Sequence, residues 1–225
     1  MEHPEPAAGR EEARRRPTLL GVVVVVAGIV LSVGYPLLIW WSLTRYSART
    51  TSLIALSAIV PLALLRAYRM GRAHVLTVLR VPAAIGAALA IGALTDDPRA
   101  ILATPVLISA ALLLSFGWTL REEMSMIERF ARMQEPELSP PKVAHCRQMT
   151  VLWCVFFVIN GAIAGALAVA APLQWWAAYT SGIAYALMGM LFAFEYALRK
   201  YRFRDYGKNP LDALLKRVFP AEGEG

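Results

Sequence analysis

The stretch "WWAAYTSGIAYALMGMLFAFEYALRK", Trp175 to Lys200, holds a single carboxylate, Glu195, among aromatic and aliphatic residues. A carboxylate in such company can relay a proton, hold a substrate or pair with a base where a helix leaves an apolar layer. If Trp175 and Trp176 mark one interface, Glu195 lies about 30 Å further along a helix rising 1.5 Å per residue. That is the thickness of a bilayer's hydrocarbon core, so Glu195 emerges at the opposite boundary. Arg199 follows one turn later, in the favourable acid-before-base order. A boundary ion pair and a working carboxylate at a vestibule both fit this position.

Asn160, in "WCVFFVINGAIAG", is the second residue with chemistry to offer. It falls midway along an apolar run, where a side-chain amide needs another helix, a water or a ligand as its partner. Antiparallel packing about a turn near Pro172 brings Tyr185 to the depth of Asn160. Gly161 and Gly165 form a GxxxG pattern that allows close helix approach. Glue between helices and contact with a substrate are the two readings of Asn160. The candidate polar path or set of interhelical contacts is therefore Asn160, Tyr185, Glu195 and Arg199.

Familiar catalytic spacings are missing. His3 is in the N-terminal tail, and neither His74 nor His145 has an Asp four positions downstream, as a membrane acyltransferase pair requires. There is no HExxH for zinc, no GxSxG elbow and no phosphate-binding glycine loop. Cys146 and Cys154 have neither CxxC nor zinc spacing and read as packing residues. Asp96 and Asp97 read as a helix stop in a tight turn. No catalytic residue, metal ligand or cofactor is expected.

The elements that position these residues are apolar helices. With 57% hydrophobic and 17% charged residues, the chain is too apolar for an ordinary soluble domain. Uncharged runs at Thr18–Thr44, Ala100–Leu120, Gln148–Gln174 and Leu173–Tyr196 (the last broken by Glu195) reach the roughly 17–25 residues that cross a bilayer. Thr50–Leu65 and Val81–Thr95 fall just short, and Val75–Leu79 lengthens the second if Arg80 snorkels. The expectation is an all-α, polytopic membrane protein of six transmembrane helices. Its N-terminal run is too long for a typical signal-peptide core and lacks a small-residue cleavage site, so it reads as a retained first helix.

Basic residues set the orientation. Alternate segments between the six helices carry 20 Lys and Arg on one side and 3 on the other. The positive-inside rule then places both termini in the cytoplasm. The net charge of +7 is accounted for by topology and by contact with anionic lipid heads, with no call for nucleic acid. Residues 1–17 read as a disordered cytoplasmic tail, 18–200 as the six-helix domain, and 201–225 as a basic tail with an amphipathic helix. In that tail Asn209 caps, Pro210 starts the helix, and Leu211, Leu214, Leu215 and Val218 form its stripe. A second short amphipathic helix is expected in the cytoplasmic loop 121–149, where Met126, Ile127, Phe130 and Met133 recur at helical spacing. Glu128 and Arg132 make an i,i+4 pair there.

The stretches "ATPVLISAALLLSFGWTL", "IERFARMQEPELSPPKV", "TVLWCVFFVINGAIAGALA" and the Trp175–Lys200 segment resemble a family of bacterial inner-membrane proteins. Genes of that family commonly stand beside acyl carrier proteins, ketosynthases and acyltransferases in aryl-polyene (xanthomonadin-like) pigment clusters. The resemblance spans roughly Tyr35 to Arg204. The family often has Tyr-Thr where this chain has His145-Cys146, so neither residue takes a role from it. More distantly, "LWCVFFVINGAIA" is similar to intracellular septation protein A. The resemblance implies a non-enzymatic accessory protein of the bacterial inner membrane, supporting synthesis or handling of an acyl or aryl-polyene envelope lipid. Its implied partners are membrane lipids and acyl-assembly enzymes or acyl carrier protein at the cytoplasmic face. A small lipid carrier or flippase, and a membrane-bound transferase of unfamiliar type, are the alternatives.

Overall fold

The computed structural model describes residues 34–69, 72–204 and Asp212, and every element among them is helical. Helix α1 occupies 34–43, α2 Ala48–Arg69, α3 Arg72–Thr95, α4 Pro98–Leu102 and α5 Thr104–Thr119. They are followed by α6 Met126–Arg132, α7 Pro140–Ala170 and α8 Leu173–Ala178. A π-helical turn, Tyr179–Ile183, then leads into α9 Ala184–Phe203. The tail 1–17, most of the first apolar run, and the stripe Leu211, Leu214, Leu215 and Val218 fall outside the described residues.

Three helical stretches are long and apolar enough to cross a membrane: Pro98–Thr119, Pro140–Ala170 and Leu173–Phe203. Two of them are broken internally. Between α4 and α5, Pro105 brings no N–H to the carbonyl of Ile101. The Thr104 hydroxyl donates to that carbonyl instead, at 2.7 Å, and the Leu102 carbonyl accepts the indole N–H of Trp176 at 3.2 Å. Between α8 and α9 the widened turn is laced by hydroxyls: Thr180 donates to the Trp176 carbonyl at 2.7 Å and Ser181 to that of Ala177 at 2.6 Å. In each case a side chain supplies the hydrogen bond that regular helix would have made.

The tightest packing joins α5 to α7 and α2 to α3. Small residues permit it. A Cβ on Gly161 would approach Ser109 Cβ to 3.1 Å, and one on Gly165 would touch Val106 at 3.5 Å. The GxxxG face of α7 therefore meets α5. A Cβ on Gly92 would come within 2.7 Å of Ser52 Oγ, which fixes how closely α3 approaches α2. The turn after α3 closes the same unit. Asp96, in the left-handed region at φ 55°, accepts the Arg49 N–H at 2.6 Å, and Asp97 caps α4 through Arg99 N at 2.8 Å. The two aspartates end one helix and start two others.

The largest buried cluster gathers at this end of the bundle, where Trp176 packs with Ile39, Leu89, Ile101 and Leu102. Trp176 is fully buried while Trp175 is 61% exposed. The adjacent tryptophans are therefore not a matched interfacial pair. Trp175 points outward, and Trp176 ties α4 to α8 from within.

At the other end α6 rests on α7. Its first N–H groups are satisfied by threonines of neighbouring helices, Met126 N by Thr119 Oγ1 at 2.9 Å and Ile127 N by Thr150 Oγ1 at 3.3 Å. Glu128 is buried and pairs with Arg132 at 2.8 Å, the i,i+4 pair expected from the sequence. The apolar stripe divides: Met126 and Ile127 are half-buried, while Phe130 and Met133 are exposed.

Trp176→Ala should destabilise the protein by about 3–5 kcal/mol, the cost of emptying a large aromatic site, whereas Trp175→Ala should leave stability within about 0.5 kcal/mol. Thermal unfolding in detergent, followed by fluorescence, measures both. Equal losses would contradict the assignment of Trp176 as the internal tie.

Candidate functional site

Asn160 joins three elements. Its Nδ2 donates to Ser109 Oγ on α5 at 3.1 Å, and its Oδ1 accepts the Tyr179 hydroxyl from the π-helical turn at 3.0 Å. Ser109 is brought within reach by Gly161, which lets α5 approach one residue beyond Asn160. Tyr179 is brought by the wide turn, which offsets its side chain from the register of α9.

These groups edge a cavity of about 330 Å³ lined by α1, α2, α3, α5, α7, the π-helical turn and α9. Its apolar walls include Ile59, Ile85, Leu112, Phe156, Phe157 and Met188. Its polar margin is Ser109, Asn160, Tyr179, Thr104 and Thr180, and no charged side chain lines it among the described residues. Tyr35 also lines it, its hydroxyl buried beside Thr104 and, among the described residues, without a hydrogen bond of acceptable geometry. Tyr185 faces the same cavity, so Asn160 and Tyr185 share a site as their common depth implied. The amide's direct partner on that strand of the hairpin is nonetheless Tyr179.

Glu195 and Arg199 lie apart from the cavity. Glu195 accepts the indole N–H of Trp153 at 3.1 Å, and no Glu195–Arg199 ion pair forms. The boundary ion pair expected from their spacing is thus replaced by an interhelical bond between α7 and α9. The i,i+4 spacing permits the pair, but the buried indole N–H needs an acceptor and Glu195 is the one within reach. Between Asn160 and Glu195 runs an aromatic cluster. Trp153 stands 5.8 Å from Phe157, 5.7 Å from Phe156 and 4.5 Å from Phe192, centroid to centroid. The two polar sites are separated by aromatic packing and do not form a continuous polar path.

His145 is buried at the α6 end, edge-on to Phe203 at 5.4 Å, and neither ring nitrogen has a partner among the described residues. Beside it Cys146 is buried as a packing residue, and both cysteines are free. Among the described residues no three His, Cys, Asp or Glu side chains are arranged to hold a metal ion. From the tail, Asp212 folds back against α9, accepting the Tyr196 hydroxyl and pairing with Lys200 at 3.0 Å.

Sequence reasoning singled out Asn160 and Tyr185 but not Ser109, Tyr179 or Tyr35. Ser109 is one of only two serines in the run "VLISAALLLSFGW", and a small polar residue facing a GxxxG helix was the available signal. Tyr179 had none, because its position depends on the π-helical turn. Comparison of the chain with protein-family models, curated proteins and solved structures finds no match.

Tyr179→Phe should cost about 0.6–1.7 kcal/mol, the range for interhelical hydrogen bonds in apolar surroundings. Glu195→Gln should be nearly silent, since the amide oxygen still accepts from Trp153, whereas Glu195→Ala should cost about 1–3 kcal/mol by orphaning a buried donor. Unfolding of the purified variants ranks them, and equal effects of Gln and Ala would refute the indole contact.

Proposed function

We propose that this protein is a non-enzymatic accessory protein of the bacterial inner membrane that holds the apolar chain of an acyl or aryl-polyene envelope lipid. The observation that carries this reading is the cavity beside Asn160: apolar and aromatic walls, a hydrogen-bonding margin and, among the described residues, no charge. Ligand pockets of this kind pair a large apolar lining with a few polar groups that fix orientation. The resemblance to proteins encoded among acyl carrier proteins and acyltransferases supplies the acyl chemistry. The three long apolar helices supply the membrane.

In this reading six helices span the bilayer and both termini are cytoplasmic. The basic asymmetry supports that orientation, and the unbroken helix α3, Arg72 to Thr95 through Arg80, supports a span at that point. The α6 end, rich in Arg121, Arg129, Arg132 and Arg147, then faces the cytoplasm and presents the protein to acyl-assembly enzymes or acyl carrier protein. Exposed Phe130 and Met133 beside those arginines suit contact with the lipid surface there. A carrier that moves lipid across the membrane would need a route past the Trp153–Phe156–Phe157–Phe192 cluster.

A deletion strain should lose or alter an acyl or polyene lipid in organic extracts, and the wild-type gene should restore it. Asn160→Leu should reach normal membrane levels yet restore less than a tenth of the product. Full rescue by Asn160→Leu would leave the amide as helix glue and remove the cavity from the function. Cysteines placed at Arg129 and Asp97 should be labelled from the cytoplasm and the periplasm respectively. Periplasmic labelling at position 129 would overturn the orientation.

A further inference from the structure

Resting on the reading of the cavity as a lipid-holding site, we infer that it selects a neutral head bearing a hydrogen-bond acceptor, an ester or ketone carbonyl, over an ionised carboxylate or sulfonate. Three observations lead there. The first is the absence of charge: none of the described residues that line the cavity is ionisable at neutral pH. An anion placed there would lose its hydration without gaining a counter-charge, a cost of several kcal/mol per ion.

The second is the state of the amide. Asn160 uses one N–H on Ser109 and its oxygen on Tyr179. If the amide is turned over, its oxygen meets Ser109 and one N–H meets Tyr179, so either assignment occupies only one of the two N–H groups. Among the described residues the other amide N–H meets no partner, and Asn160 lines the cavity. The third is Tyr35, whose buried hydroxyl lies beside Thr104 and, among the described residues, meets no partner in acceptable geometry. The Thr104 and Thr180 hydroxyls beside these groups already donate to backbone carbonyls, at 2.7 Å in each case. The unspent capacity of the margin therefore includes two donors, the amide N–H and the Tyr35 hydroxyl, and the complement of two donors is an acceptor.

Geometry gives the chain its place. Phe156 and Phe157 form one wall with Leu112 and Met188, so an alkyl or planar unsaturated chain lies against aromatic and thioether surface. An ester carbonyl at the Asn160 edge would leave its chain among these residues. A free acid bound in the same pose would have to be protonated. The site thus distinguishes an esterified lipid from the corresponding acid by charge alone.

The test uses the full-length protein in nanodiscs and a diazirine-bearing palmitoyl methyl ester as the photoprobe, with cross-links mapped by mass spectrometry. Competitors are methyl palmitate, hexadecane and hexadecanesulfonate, which share a chain and differ in the head. The expected result is cross-linking on α7 or α9 around Asn160 and Met188. Methyl palmitate should compete about tenfold better than hexadecane, the scale of one or two net neutral hydrogen bonds, and better still than the sulfonate. Tyr35→Phe, which keeps the ring and its packing, should cut the advantage over hexadecane several-fold, and Asn160→Leu should abolish it. Cross-linking away from the cavity would overturn the lipid-holding reading and this inference together. Cavity cross-linking competed equally by hexadecane, or best by the sulfonate, would overturn the inference and leave that reading standing. If Asn160→Leu does not fold, an advantage over hexadecane that persists unchanged in Tyr35→Phe overturns the inference.

Discussion

An apolar surround offers no hydrogen-bond partner, so every polar group in these helices must be satisfied from inside the protein or lose free energy. Most backbone groups meet this demand by remaining helical. The architecture is decided where they do not. At the α4–α5 junction the proline frees a carbonyl that Thr104 takes, while the next carbonyl takes the Trp176 indole. At the π-helical turn, Thr180 and Ser181 hydroxyls bond to the carbonyls of Trp176 and Ala177. The same tryptophan residue participates in both repairs, through its indole in one and its carbonyl in the other. Two interruptions in different helices are thereby fastened to each other, and α7 packs between them.

The cavity follows from these interruptions. A continuous last helix would present its side chains in one unbroken register. The π-helical turn sets Tyr179 toward Asn160 while Ala184, Tyr185 and Met188 of α9 still line the space beyond. On the other side, Gly161 draws α5 close enough for Ser109 to meet the amide. Phe156 and Phe157, one turn before Gly161, line the space beside this close contact, and Phe157 also packs edge-on against Phe116 of α5 at 5.2 Å.

Helix content and the apolar runs were legible from composition and spacing, because a stretch without charge for some twenty residues admits few alternatives. Asn160 was legible for the same reason: one amide in an apolar helix stands out by cost. What was hidden depended on pairing. Trp175 and Trp176 are identical in sequence terms, and only the Leu102 carbonyl freed by the preceding junction distinguishes the one that turns inward. Glu195 and Arg199 have ion-pair spacing, yet spacing along one helix carries no information about an indole N–H on another. The GxxxG pattern announced a close contact without saying with which neighbour. Each of these was decided by a partner far along the chain.

The separation of Asn160 from Glu195 bears on what a protein of this design can do. A proton relay or an ion route needs polar groups within hydrogen-bond reach of one another, directly or through water. Here Trp153, Phe156, Phe157 and Phe192 fill the interval with rings at 4.5 to 5.8 Å centroid spacing. Glu195 holds this cluster at its far side by accepting the one polar hydrogen that Trp153 presents. The carboxylate therefore orients an aromatic wall, and that wall is the floor on which an apolar ligand in the Asn160 cavity would rest. A charged residue placed away from the cavity and an amide placed at its edge divide the work. The first fixes the shape of the site, and the second leaves a donor for whatever neutral head enters it.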